Sequence, residues 1–552
     1  MKKTILLILS GLGILILLAV VAAGILLNLD PNRYKDYVAE KVSQELGRTF
    51  EIKGDLKTGY YPWLHLEMSG VFLENAPEFD NVPMVAADHV TVRVKTLPLL
   101  RKQIEMDTIV LEGVHVNLAK NKAGSSNWEG LGAPADARKP DKPSAPSPSS
   151  EKGFDLKNLA VFLNGGVRIQ DVAVSYDDQS TGKRYTVSDL NLSTGKVVPD
   201  NPVDWSLTFN AAGTSPEISG KAVLKGAVVL DLTADQYQID PLTFQAQLAG
   251  PILGKKPADL DLTCRLEMDL PQDTVSVKNL QASGLGTDIF GNIFLGSVGS
   301  AMPRIDMDLD VTGKDLALLF KVIEGGTLTA HLASLPDRSF DLKTRILADM
   351  AQGTVEVPEV RVNMLGASIN GDVRAERIQT NTPSVKGNIN AGGPDLPTLI
   401  QVAGKVAGPS SRLSKIGSQL ARTGQKKFHA DMAVDLDLSQ GRMHVPNLDI
   451  AALGISLKGN VEARGLASSD ANVSGEMVLE GRDLSRLLHA MDQPDLGDLL
   501  DTVTGQVRFD GTDQNLKLDP LKVQLGLSGK KMSGAPGFVA LEMPVQWQMA
   551  QQ

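Results

Sequence analysis

Cysteine is almost absent from this chain of 552 residues, aromatic residues make up 5%, and no basic run is longer than a pair such as Lys426–Lys427. A single cysteine, Cys264, excludes an intrachain disulfide and any multi-cysteine metal site, and its place on the apolar side of a strand makes it a small core residue. A net charge of -10 and a pI near 5.4 leave no electrostatic footprint for a nucleic-acid backbone, so nucleic acid is not an expected partner.

Catalytic spacings are missing as well. Among the seven histidines, His65, His89, His115, His429 and His444 lie in alternating segments, which puts them on the polar faces of strands without metal-ligand spacing. Each Gly-Lys pair, from Gly182-Lys183 to Gly529-Lys530, lacks the Ser or Thr of a phosphate-binding loop. Gly366-Ala367-Ser368 approaches a hydrolase elbow, but the second glycine arrives one position late, at Gly371. The expectation is a protein that is not an enzyme, with no catalytic residue, no metal and no cofactor.

What is present, repeatedly, is strict alternation of aliphatic and charged residues. Leu260, Leu262, Cys264, Leu266, Met268 and Leu270 point one way and Asp259, Asp261, Arg265, Glu267 and Asp269 the other. Ile305, Met307, Leu309 and Val311 repeat the pattern, as do Met432, Val434, Leu436 and Leu438, and earlier Val203, Trp205, Leu207 and Phe209. Such segments predict strands of a long sheet with one apolar face, on the order of 25 to 30 strands of them. With 52 glycines to make turns, the fold class is mainly β: an elongated, curled antiparallel sheet with a few short helices after an N-terminal transmembrane helix.

That N-terminal helix is predicted from Ile5 to Leu27, with Leu15 near its centre: 23 residues without a charge, enough at ~1.5 Å per residue to span a ~30 Å hydrocarbon core. A cleaved signal peptide is the alternative, with Val21-Ala22-Ala23-Gly24 as the cleavage site, but its apolar core is usually only about 7 to 15 residues long. Lys2 and Lys3 before the span leave the bulk of the chain on the far side of the membrane.

Residues 1–29 are thus read as the anchor and 30–131 as a first module. The module opens with a helix over 31–46, capped by Asp30 and Pro31, stopped by Gly47 and striped by Tyr34, Val38, Val42 and Leu46. From 132 to 152, Pro134, Pro140, Pro143, Pro146 and Pro148 amid Ser and charged residues predict a flexible linker. Residues 153–552 follow, with repeat units near 275–355, 356–442 and 443–515. Leu285-Gly286, Leu365-Gly366 and Leu453-Gly454 each precede, six residues on, Gly291, Gly371 and Gly459, and thirty residues on, Asp315-Leu316, Asp395-Leu396 and Asp483-Leu484. Each unit is expected to hold several strands and one short helix; a weaker copy starts at Leu525-Gly526. Stacked repeats make a continuous surface, whereas a string of separate β-sandwiches is the alternative.

The order Leu46-Gly47-Arg48, Tyr61-Pro62-Trp63, Leu73-Glu74-Asn75-Ala76, Leu97-Pro98-Leu99-Leu100 and Asn127-Trp128, continued more loosely through Tyr176-Asp177 and Asp189-Leu190-Asn191-Leu192, resembles the N-terminal domain of AsmA-like proteins. The resemblance implies an inner-membrane protein, single-pass with its bulk in the periplasm, and a chorein-like start followed by a β-groove lined with lipid. It also implies a part in glycerophospholipid movement toward the outer membrane, and no catalytic residue to carry over. A groove lined by the thirteen aliphatic residues from Leu260 to Leu438 named above suits acyl chains, at about 25 cal/mol per Å² of apolar surface removed from water. The expected partners are therefore phospholipids, the inner membrane and a periplasmic or outer-membrane protein. The alternative is a non-catalytic scaffold or assembly factor for outer-membrane proteins that binds through strand edges.

Overall fold

The computed structural model describes residues 31–59, 64–95, 106–129, 131, 166–198, 200–254, 256–323, 327–406, 412–466, 471–491, 493–512, 515–527 and 538–548. The expected anchor with Ile5, Leu15 and Leu27, the 132–152 linker, Tyr61-Pro62-Trp63 and Leu97-Pro98-Leu99-Leu100 lie outside these residues. Among the described residues no helix is long and apolar enough to cross a membrane. The chain divides into two compact units, Met1–Pro271 and Gln272–Gln552.

In the first unit a 3-10 turn, Pro31–Tyr34, leads into α1 (Lys35–Leu46). The helix ends where Gly47 takes a left-handed φ of 63° and its N–H donates to the Ser43 carbonyl, a conformation glycine adopts without a Cβ penalty. Val38, Val42 and Leu46, three of the four expected stripe residues, are buried. They pack on Phe50, Ile52, Leu66, Met68 and Val90, so the helix covers the apolar face of the strands that follow it.

Those strands are β1 (Phe50–Ile52), β2 (Leu56–Gly59), β3 (Leu64–Leu73), β4 (Val85–Val94) and β5 (Met106–Lys120). Next come β6 (Val167–Asp178), β7 (Lys183–Thr194), β8 (Val203–Thr214), β9 (Glu217–Asp231), β10 (Gln236–Ala249) and β11 (Ala258–Asp269). β1 and β2 both lie along β3, and pairing then runs strand to strand. One ladder departs from the expected antiparallel sheet: β5 and β6 are parallel, from Ile109 beside Val167 to Lys120 beside Asp178. Parallel neighbours need a crossover of a dozen or more residues, which the residues between them supply, so strands on either side of the expected linker belong to one sheet.

The second unit is antiparallel throughout its described ladders. β12 (Thr274–Gly284), β13 (Thr287–Gly296) and β14 (Arg304–Gly313) precede α2 (Leu316–Ile323) and α3 (Thr327–Ala333). β15 (Phe340–Asp349), β16 (Thr354–Met364), β17 (Ala367–Glu376) and β18 (Ser384–Gly393) precede α4 (Leu396–Val406) and α5 (Arg412–Leu420). β19 (Phe428–Asp437), β20 (Arg442–Ala452), β21 (Ile455–Arg464) and β22 (Asn472–Gly481) precede α6 (Leu484–Ala490) and α7 (Pro494–Leu499). β23 (Leu500–Thr512), β24 (Asn515–Leu527) and β25 (Phe538–Gln548) complete it. The repeat is four strands and a pair of helices, where one helix was expected; the second of each pair escaped because it is short and, in α5, largely polar.

The Leu-Gly words are two-residue hairpin turns of type I′, with φ of 53° and 72° at Leu285-Gly286, 54° and 76° at Leu365-Gly366, and 56° and 87° at Leu453-Gly454. Left-handed backbone costs a leucine roughly 1–2 kcal/mol. Leu365 is buried with Leu316, Ala317, Leu332 and Val402 of the helices, and burying a leucine is worth about 1.5–3 kcal/mol, so packing outweighs the strain. Asp315 caps α2, its Oδ1 accepting the N–H of Ala317 at 3.0 Å, and Asp395 caps α4 by accepting that of Thr398 at 3.0 Å.

Bulges recur with the same four-strand period. β12 advances three residues from Val277 to Leu280 while β13 advances two, and β16 does so from Val357 to Val360, β20 from Val445 to Leu448 and β24 from Leu518 to Leu521. Pro358, Pro446 and Pro520 sit inside these steps, where a missing N–H leaves no ladder bond unmade. Gly291, Gly371 and Gly459 face the bulges of β12, β16 and β20 from the next strand. A Cβ on any of them would strike a backbone carbonyl, that of Asp308, Asn388 or Glu476. Bulges bend strands and increase twist, so bulge and glycine together curl the sheet of this unit at one level in every repeat.

Candidate functional site

Cross-strand register puts every second residue of the second unit on one face. Leu295, Ile305, Ala348, Val355, Ala375, Val385 and Leu436 follow each other across seven strands. Ile293, Met307 and Ile346 run beside them, and the rows continue through Met432–Leu448, Gly459–Met477 and Val507–Leu521. Among the described residues of the ladders from β12 to β24, no paired position on this face holds Asp, Glu, Lys or Arg. The first unit has an equivalent row, Leu192–Leu207–Leu224–Phe244–Leu262.

The face is greasy and only partly covered: Ala348, Val445 and Ala463 are buried, but others are not. Met68, beneath α1, is 1% exposed, whereas Ile369 and Ile389, in mid-sheet, are 40% and 47% exposed. Solvent-exposed apolar area of this extent marks an interaction surface in a soluble domain.

Seven of the thirteen residues expected to line a groove stand in strands on this face of the second unit, Ile305, Met307, Leu309 and Val311 in β14 and Met432, Val434 and Leu436 in β19; four more, Leu260, Leu262, Leu266 and Met268 in β11, stand on the apolar face of the first unit. Leu270 and Leu438 fall one residue past their strands, in turns, and Leu270 is exposed. Alternation extended too far there because both follow an Asp that ends the ladder. Residues missed by periodicity, such as Ile389 and Leu457, belong to the same face; the pairing of Gly387 with Val434 and of Gly459 with Leu448 shows that the glycines interrupting their alternation are members of it.

The opposite face is mostly polar, Phe290 and Phe294 of β13 being exceptions, and it is cross-linked by charge. Arg345 reaches Asp306 at 3.7 Å, Arg374 Glu356 at 3.6 Å, Lys386 Asp435 at 3.1 Å, Lys458 Asp449 at 2.8 Å and Arg508 Glu476 at 3.5 Å. Exposed pairs of this kind contribute little stability each, about 0–1 kcal/mol; their effect is to keep one side wet. His89, His115, His429 and His444 stand exposed on polar sides of their strands, and His65 lies 3.6 Å from Glu67. Among the described residues no three His, Cys, Asp or Glu side chains gather as a metal site. Cys264 is buried on the apolar face opposite Leu242, and burial pushes its thiol pKa up, which keeps it protonated and unreactive.

A recess of about 530 Å³ opens in the first unit where Trp205, Gly226 and Pro241 meet at the bulge of β10; Asp204, Lys225 and Ser206 also line it. Its lining holds one carboxylate, one ammonium group and the hydroxyls of Ser193, Thr194, Ser206 and Thr243.

Signature words of the first module converge on one buried amide. Asn127 is fully buried; its Nδ2 donates to Asn75 Oδ1 at 3.0 Å and to the Asn117 carbonyl at 2.7 Å, and its Oδ1 accepts the Ala119 N–H at 2.9 Å. Arg48 donates to the Asn127 carbonyl at 3.3 Å and the Glu129 carbonyl at 3.0 Å. Trp128 meets Tyr176 of β6 at 6.0 Å, and Ser175 donates to Asn117 at 2.9 Å. Gly47-Arg48, Asn75 and Asn127-Trp128 are distant in sequence because they form one knot that pins the end of the first module to β6.

Residues 1–265 match the model of the AsmA family. Over 236 residues, 40% of this chain and 34% of its relative, the sequence is 28% identical to "AsmA family protein YhjG" of Escherichia coli (strain K12). Over 153 residues, 27% of this chain and 24% of that protein, it is 27% identical to "Protein AsmA" of the same organism. The chain thus spans about a third and a quarter of the length of these relatives.

Proposed function

We propose, for a chain that over residues 1–265 is a member of the AsmA family, that it is a non-catalytic, inner-membrane-anchored periplasmic protein that holds glycerophospholipids by their acyl chains and supports their movement toward the outer membrane. The observation that carries this is the uncharged apolar face continuous across β12 to β24, much of it open to solvent. Acyl chains gain about 25 cal/mol per Å² buried wherever they lie on such a face, and since that contact is non-directional they can move along it without a fixed binding residue. Headgroups remain on the solvent side.

The test is site-specific photo-crosslinking in cells. A benzophenone side chain in place of Leu309 or Leu457 is expected to capture phospholipid, and one in place of Asp310, on the polar face, is not. Equal capture at both faces, or none at either, would overturn the proposal and leave a scaffold that binds proteins.

A further inference from the structure

Of the three helix pairs, only α4–α5 is strongly basic. From Leu396 to Lys427 the chain carries Lys405, Arg412, Lys415, Arg422, Lys426 and Lys427 and no Asp or Glu, in a protein whose net charge is -10. The α6–α7 stretch has Asp492, Asp495 and Asp498 against Arg486, so the repeat does not itself require this charge. Lys426 pairs with Asp395 at 3.8 Å. Lys405, Arg412, Lys415, Arg422 and Lys427 are exposed.

The same pair exposes aliphatic side chains. Val406 is 55%, Leu413 42% and Ile416 41% exposed. Gly417 and Leu420 form the buried side of α5; Leu413 and Ile416, four residues before Gly417 and Leu420 respectively, lie along that same stripe yet stand exposed, with the exposed Arg412 and Lys415 next to them in the chain. Gly404 lies against the backbone of Leu413 and Ser414, too close for a Cβ, which brings Lys405 and Val406 beside the start of α5. The result is a small aliphatic patch set among cations.

We infer that the exposed aliphatic and basic residues of α4–α5 dock on the surface of an anionic phospholipid bilayer. Aliphatic residues that enter the headgroup boundary beside lysines and arginines that meet lipid phosphates are the two contributions that hold interfacial helices to membranes. An acidic protein would satisfy the charges, but it gives no reason for three aliphatic side chains to stand in water among them. This docking is independent of the acyl-chain face and would stand if that face carried no lipid.

The full chain, held in phosphatidylcholine nanodiscs, is mixed with sedimentable vesicles of phosphatidylcholine alone or with about one-third phosphatidylglycerol. Capture by the anionic vesicles only, weakening as salt rises, is expected. Lys405→Glu/Arg412→Glu/Lys415→Glu should reduce capture by at least about tenfold, and Leu413→Ser/Ile416→Ser should reduce it at low salt with an unchanged melting curve. The salt titration needs no variant and so survives a misfolded one. Equal capture by neutral and anionic vesicles, salt-independent capture, or undiminished capture of the folded charge-reversed variant would overturn the proposal. So would binding of soluble polyglutamate with no capture by vesicles.

Discussion

Met307 and Asp308 are neighbours on opposite faces of β14. Met307 pairs with Ile293 and Ile346 on the apolar face, while Asp308 pairs with Asn292 and Arg345 on the polar one. Replacing Met307 with Asp puts a carboxylate where an acyl chain would lie. To be covered, that carboxylate must take up a proton; at pH 7, three units above its ordinary pKa, this costs about 4 kcal/mol. Met307 is only half-buried, so water can still reach the site, and about half of that figure, ~2 kcal/mol, is the appropriate expectation, a roughly 30-fold drop in local lipid occupancy. Met307→Asn, polar but uncharged, should fall between, and Asp308→Asn should leave transfer unchanged. The assay is transfer of fluorescent phospholipid between donor and acceptor vesicles at equal protein concentration. Equal effects of Met307→Asp and Asp308→Asn would refute the assignment of faces.

Asn127→Ala should strip partners from Asn75, the Asn117 carbonyl and the Ala119 N–H together, lowering stability by about 2–4 kcal/mol, measured as a shift of the urea midpoint. Gly366→Val places a β-branched residue at φ 76° and should cost about 1–2 kcal/mol; hydrogen exchange is expected to rise at the β16–β17 hairpin and not in the first unit. Cys264, buried and with its pKa raised by that burial, should react with a maleimide only in denaturant; fast labelling of the native protein would show that β11 is misassigned.

Strands were legible wherever alternation was unbroken, as at Ile305 to Val311, because period two is a local property of the chain. The Leu-Gly, Gly and Asp-Leu words were legible as a repeat but not as parts. That Leu365 turns a hairpin and packs under helices, that Gly371 clears the Asn388 carbonyl, and that Asp315 caps α2 all depend on contacts made after folding. Proline inside Val357-Pro358-Glu359-Val360 argues locally against a central strand, whereas in the sheet it marks a bulge. The parallel pairing of β5 with β6 had no local signal, since a crossover is set by where the chain returns. Periodicity likewise assigned Leu270 and Leu438 to the face although their strands had ended. Arg48, Asn75 and Asn127 read as separate words because a hydrogen-bond network leaves no spacing in sequence.

The most direct measurement is native mass spectrometry, with lipid extraction, of residues 30–552 purified without detergent. Several phospholipids bound per chain, fewer after Met307→Asp and Leu436→Asp, are what a continuous acyl-chain face predicts. A lipid-free protein in repeated preparations, or a lipid count untouched by both substitutions, would contradict it.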